Sequence, residues 1–290
     1  MIRLVRMLSK DRLKHGIRVI SLLPLVSRVL FNHRVRHALQ KLPGGNALYG
    51  GGWDRVHPFD RAHGTDTSGT VSASELQAKG DHEALAHVTV YGGSQPSVLR
   101  EVLTHLPQPE TCTFVDLGCG KGRPLLVASE FPFRAIVGVE LSPDLARVAR
   151  ANAAIAAARF PERTPVRVEV GDATAFPLPP GNIVLFLYHP FGREQVLKVV
   201  RAVEAALAAE QRAIYVVYYN PVNGACFDDS PRLTRRFARM LPYAREERGF
   251  GPDLSDAVVI WQGGDSPPPP AFAHAKIVVT NPGSRAELVG

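Results

Sequence analysis

Val115-Asp116-Leu117-Gly118-Cys119-Gly120-Lys121-Gly122 is the stretch on which the fold turns. The apolar run Thr113 to Leu117 reads as a short strand. Three alternate glycines follow, and a helical pattern covers Gly122 to Phe131. Open α/β sheets bind ligands beyond the carboxyl ends of their strands, so this loop is the first candidate site. Its spacing excludes two familiar uses. A dinucleotide fingerprint, G-x-G-x-x-G, needs glycine at 123, where the chain has Arg123; a P-loop needs Gly-Lys followed by Ser or Thr, and Gly122 is followed by Arg123-Pro124. Asp116, at the strand end, suits a cationic ligand better than a pyrophosphate.

Outward from the loop, strand and helix signals alternate. Strands are expected at Ala135 to Glu140, Val166 to Val170, Ile183 to Tyr188 and Ala213 to Tyr219. Helices are expected from Ser97 to Leu106, from Ser142-Pro143, an N-cap followed by proline, to about Arg159, and from Arg193 to Glu210. This alternation predicts a parallel sheet with helices on both faces. Beyond it, a helix is expected near Pro231 to Leu241, and strands at Ala257 to Gln262 and Ala275 to Thr280 as a terminal antiparallel pair. Asp60 to Gly69 reads as a loop and Ser72 to Lys79 as a short helix. The chain divides into residues 1–45, a basic amphipathic helical extension; 46–90, an irregular linker or lid; and 91–290, the ligand-binding domain.

The chain has 290 residues, 45% hydrophobic and 21% charged, which suits a folded protein with a sizeable core. Its net charge of +7 is unevenly placed: residues 1–45 hold ten Lys/Arg against Asp11 alone, a net of +9, which leaves the rest at −2. The basic balance describes a tail, so no nucleic-acid partner is expected. The tail's longest uncharged stretch, Val19 to Ser27, is too short to span a bilayer, which takes about 20 apolar residues. Apolar residues recur between basic ones, so residues 1–42 read as a helical cap on the domain, with peripheral membrane contact as the alternative. Three cysteines without a C-x-x-C pair argue for a reducing, cytoplasmic setting and against structural zinc; no metal site is expected. Composition leaves the oligomeric state open.

Two further acids follow strand ends. Glu140 closes the second strand, where a carboxylate accepts hydrogen bonds from two ribose hydroxyls. Asp172 follows the third strand in Gly171-Asp172-Ala173. Val115 to Gly122, Val139-Glu140-Leu141-Ser142 and Gly171-Asp172-Ala173-Thr174 together resemble the first three motifs of class I S-adenosylmethionine-dependent methyltransferases. The resemblance covers roughly Tyr91 to Gln262. It implies a Rossmann-like seven-stranded sheet and S-adenosylmethionine as cofactor, held by Asp116, Gly118, Gly120, Glu140 and Asp172, with Ala173 near the adenine. Tyr91, in Tyr91-Gly92-Gly93-Ser94, is similar to tyrosines that contact the methionine carboxylate.

In this family the acceptor site lies at the ends of the fourth and fifth strands. The fourth ends Tyr188-His189-Pro190-Phe191, similar to the [Asn/Asp]-Pro-Pro-[Tyr/Phe] segment of amino-group methyltransferases, with histidine in place of the amide or acid and one proline missing. His189 is a candidate general base, its ordinary pKa lying near neutrality. Tyr188 and Asn220 are the other catalytic candidates; Pro190, Phe191 and Tyr219 are candidate substrate contacts. The reading is methyl transfer to nitrogen or oxygen of a small-molecule or protein side-chain acceptor. A non-catalytic cofactor-binding regulator or scaffold is the alternative, and an NAD-dependent oxidoreductase is disfavoured by Arg123.

Overall fold

The computed structural model describes residues 56–71, 91–188, 191–250, 254–267, 275–280 and 285–289. They fall in one unit, residues 53–290. The basic extension and the expected helix at Ser72 to Lys79 lie outside the described residues.

A seven-stranded sheet carries the fold. Its strands are β3 (Cys112–Leu117), β4 (Ala135–Glu140), β5 (Val166–Val170), β6 (Asn182–Tyr188), β7 (Ala213–Tyr219), β8 (Thr234–Pro242) and β9 (Ser255–Gly264), in the order β5-β4-β3-β6-β7-β9-β8. The first five are parallel, and β9 runs antiparallel to both β7 and β8. Before the sheet come α1 (Pro58–His63) and the short pair β1 (Thr70–Val71) and β2 (Tyr91–Gly92).

Helices cover both faces, as the alternation predicts. One face packs Phe114, Phe186, Val217 and Ile260 against α2 (Pro96–Leu103), α3 (Arg123–Ala128) and α4 (Pro143–Arg159). The other packs Val115, Leu185, Val216 and Trp261 against α5 (Arg193–Ala209) and the single turn α6 (Ala225–Asp228). Successive side chains of a strand point to opposite faces, so β3 and β7, covered on both sides, are buried throughout. That is why they read as continuous apolar runs.

Three expectations are corrected. Pro231 to Leu241 is not a helix: Thr234–Pro242 is edge strand β8, with a bulge between Arg235 and Phe237. Ala257 to Gln262 and Ala275 to Thr280 do not pair with each other. The first belongs to β9 inside the main sheet, and the second, β10 (Lys276–Thr280), forms a separate antiparallel hairpin with β11 (Arg285–Val289). Asp60 to Gly69 is not all loop, since α1 extends to His63. Its N-cap is His57, whose side chain accepts from Phe59 N, and Pro58 follows at the first helical position.

Candidate active site

β4 and β5 lie to one side of β3 and β6 and β7 to the other, so the strand order reverses between β3 and β6 and the glycine loop opens at that switch point. Gly118 (φ 86°) and Gly122 (φ 84°) take left-handed backbone that L side chains avoid, and a Cβ on Gly122 would meet Ala149 Cβ at 3.2 Å. The turn is closed by Gly118 N and Cys119 N, which both donate to Val139 O, at 2.9 and 3.0 Å. The loop is thereby tied to β4 and to Glu140 at its end.

Glu140, 7% exposed, accepts from Gly120 N on Oε2 and from Ser142 N on Oε1, each at 2.8 Å. Burial lifts its carboxyl above the usual range against those backbone donors. A carboxylate has about four acceptor positions, so lone pairs remain for a ligand's hydroxyls. Asp116, 1% exposed, has Oδ2 buried without a hydrogen-bond partner. Burial, and then the charge of Glu140, push its carboxyl well above the ordinary range. An unpaired carboxylate beside a second acid is costly unless a cation arrives. The pair fits a ligand with a cationic amine and a ribose, which S-adenosylmethionine is.

Asp172 is exposed and accepts from Thr174 N and Oγ1, both at 2.8 Å, an Asx turn that holds the strand end. Ala173 is buried in the core beside Leu117 and Val139. Tyr91 places its backbone in β2, paired with Val71.

At the acceptor end the candidates separate. His189 and Pro190 lie outside the described residues. Half-buried Tyr188 packs edge-on against Tyr219 at 4.5 Å between ring centroids. Phe191 is buried in the other face's core, with α5. Tyr219 is fully buried; its hydroxyl donates to Asp256 Oδ2 at 2.6 Å and accepts from Gln95 N at 3.4 Å. Tyr243 donates to the same Asp256 oxygen at 2.5 Å. Asn220 is left-handed (φ 53°), and its Oδ1 accepts from Ala286 N at 2.8 Å, tying the β10–β11 hairpin to the end of β7.

Several residues around the site have no sequence signature. Arg123 enters the sequence argument only as a missing glycine, yet its guanidinium is buried and bonded to Thr67 and Ser94. Asp60 belongs to a polar cluster visible in the sequence, but its burial does not show there. Asp256 and Gln95 have no pattern that finds them.

Residues 114–210 match a family described as a methyltransferase domain. No curated protein matches the sequence. Among solved structures, the chain is similar to a class I S-adenosylmethionine-dependent methyltransferase of Listeria monocytogenes, at 15% identity over 61% of this chain and 62% of that one, with a TM-score of 0.44. It is also similar to an RNA methyltransferase of Salinibacter ruber in complex with S-adenosylhomocysteine, at 21% identity over 61% and 96% of the two chains, with a TM-score of 0.38. The family match begins on β3 and ends just beyond α5, spanning the strands that present Asp116, Glu140 and Asp172, so this third of the chain matches a methyltransferase domain.

Proposed function

We propose that this enzyme transfers the methyl group of S-adenosylmethionine to a nitrogen or oxygen of a small-molecule or protein side-chain acceptor, at the carboxyl ends of β6 and β7. The buried, unpartnered Oδ2 of Asp116 beside Glu140 carries the reading, because an acceptor without a donor at the switch point suits the cofactor's ammonium. Asp116 takes the ammonium, Glu140 the ribose hydroxyls, and the backbone of Gly118 and Gly120 lines the loop. Asp172 and Ala173 flank the adenine, and Tyr91 belongs to the methionine end.

When bound, the cofactor supplies an electrophilic methyl carbon. The protein's part is to align an acceptor lone pair with it and to remove the acceptor's proton. His189, between Tyr188 and Phe191 in sequence, is the proposed base. Tyr188 and Asn220 are proposed to shape the catalytic mouth, with Pro190, Phe191 and Tyr219 behind it. Tyr219 acts there by holding Tyr188, since its hydroxyl is committed to Asp256.

Residues 91–290 form the proposed catalytic domain, 46–90 its cover, and 1–45 a basic extension that packs on the domain or meets a membrane surface of a cytoplasmic enzyme. Among the described residues no helix is long and apolar enough to cross a membrane. Vesicle co-sedimentation with and without residues 1–42 separates the two roles of the tail.

Titration calorimetry with S-adenosylmethionine tests the cofactor assignment: absence of binding at millimolar cofactor overturns it. S-adenosylhomocysteine release is then followed against amine, hydroxyl, protein and RNA acceptors. RNA is included because one similar structure is an RNA methyltransferase. Release with an amine, hydroxyl or protein is expected; release on RNA alone overturns the proposed acceptor class.

A further inference from the structure

Residues 57–68 are fastened to the cofactor loop by the two side chains that flank Gly122. Lys121 Nζ donates to Ser68 O at 2.7 Å and to Asp66 Oδ1 at 2.8 Å. Arg123, 3% exposed, donates from Nε to Thr67 Oγ1 at 2.7 Å and from Nη2 to Thr67 O at 2.8 Å. Its charge is met by Asp60, 2% exposed and 3.9 Å away, which also accepts from Thr67 N at 3.0 Å and Thr67 Oγ1 at 2.6 Å. A buried ion pair of this kind is held by its hydrogen bonds, and removing one partner leaves the other charge uncompensated.

The remaining guanidinium nitrogen of Arg123, Nη1, donates to Ser94 O at 3.1 Å. The backbone lies directly on the guanidinium there, since a Cβ on Gly93 would fall 2.4 Å from Nη1. Ser94 is 1% exposed, and its Oγ has no hydrogen-bond partner. Among the described residues the only other buried side-chain oxygen in that condition is Asp116 Oδ2. The two are complementary: an ionised carboxylate only accepts, whereas a hydroxyl can donate. An α-amino acid offers an ammonium to an acceptor such as Asp116 and a carboxylate to a donor such as Ser94.

We propose that residues 57–68 are a positioning clamp for the amino-acid half of the cofactor, acting through Arg123 on Ser94. The inference rests on the cofactor assignment and adds to it. The clamp sets where the Ser94 hydroxyl stands, and by linkage the bound amino-acid tail tightens the clamp in return.

Calorimetry on the full chain with two nucleosides tests this. S-adenosylhomocysteine carries the amino-acid tail; 5′-methylthioadenosine lacks it. Ser94→Ala and Asp60→Asn are each expected to weaken S-adenosylhomocysteine by about tenfold, the loss of one hydrogen bond to a charged group. Methylthioadenosine should stay within about twofold on the same argument. Thr67→Ser, which keeps the hydroxyl, should bind as the parent does, and Thr67→Val should follow Asp60→Asn. Equal losses for both nucleosides in a folded variant would make the clamp merely structural, and unchanged S-adenosylhomocysteine affinity in Ser94→Ala overturns the proposal.

Should Asp60→Asn fail to fold, amide exchange on the parent decides. Protection of residues 57–68 by S-adenosylhomocysteine and not by methylthioadenosine supports the clamp; equal protection or none overturns it. A parent chain that binds neither nucleoside would instead overturn the cofactor assignment.

Discussion

Asp116 and His57 are held away from their ordinary titration by burial, in opposite senses. Asp116 is raised, so its contribution to stability is intact below the ordinary carboxylate pKa of 3.8 and is lost as pH rises through its folded value. At neutral pH the cofactor-free fold therefore carries a cost that Asp116→Asn removes. The variant should be more stable than the parent by about 1–3 kcal/mol in urea melts and should bind S-adenosylhomocysteine more weakly by a similar amount. A variant that is both less stable and unchanged in affinity would refute this account. His57 accepts from Phe59 N on Nδ1, so its proton sits on Nε2 and is shared with Gln95 Oε1 at 3.0 Å. Burial first, then the Arg123 charge, lower its pKa from 6.5 to about 4. A depressed histidine stabilises the fold above 6.5 and loses that contribution as pH falls toward 4. Parent stability relative to His57→Gln should decline by about 1–3 kcal/mol across that window, measured by urea melts at a series of pH values; a flat difference would show that His57 is not linked to folding.

Among elements, β8 shows why one stretch was misread. Leu233, Phe237 and Leu241 recur every four residues, a spacing that serves one face of a helix and one face of a strand alike. The bulge at Arg235 to Phe237 puts Leu233 on one face of the sheet and Phe237 and Leu241 on the other. Only hydrogen bonding to β9, the next strand in the chain, decides between the two readings. The central strands posed no such ambiguity, because short continuous apolar runs alternating with helical segments suit a sheet covered on both faces. Packing between β4 and the cofactor loop can be tested at Gly138. A Cβ there would lie 2.5 Å from Leu125 Cδ1 and 2.9 Å from Cys119 Cβ. Gly138→Ala should destabilise the fold by about 1–3 kcal/mol through overpacking. It should also weaken S-adenosylhomocysteine, since Cys119 must move with the loop. Unaltered melting and unaltered affinity would show that the loop yields without cost.

For the whole molecule, deletion of residues 1–42 should leave cofactor affinity within about twofold, a difference small on the free-energy scale of binding. Calorimetry on the shortened chain checks it, and a collapsed or non-binding product would place the tail in the core. The cofactor half of the site was legible because each of its parts is local: a glycine spacing, an acid at a strand end, a second acid one strand later. The acceptor half was less so. Tyr188, Phe191 and Tyr219 are neighbours in pattern, yet Phe191 packs on the opposite face of the sheet from the other two.

By itself the sequence determined the methyl donor, the parallel core of the sheet and the loop between β3 and α3. Glycine spacing and apolar alternation are set by backbone sterics and burial within a few residues. Tertiary structure alone decided the β9–β8 end of the sheet, the anchoring of Asn220 to the terminal hairpin and the joining of Asp60, Thr67 and Ser94 through Arg123. No local residue pattern encodes those contacts, and a buried charge finds its partner by folding, not by spacing.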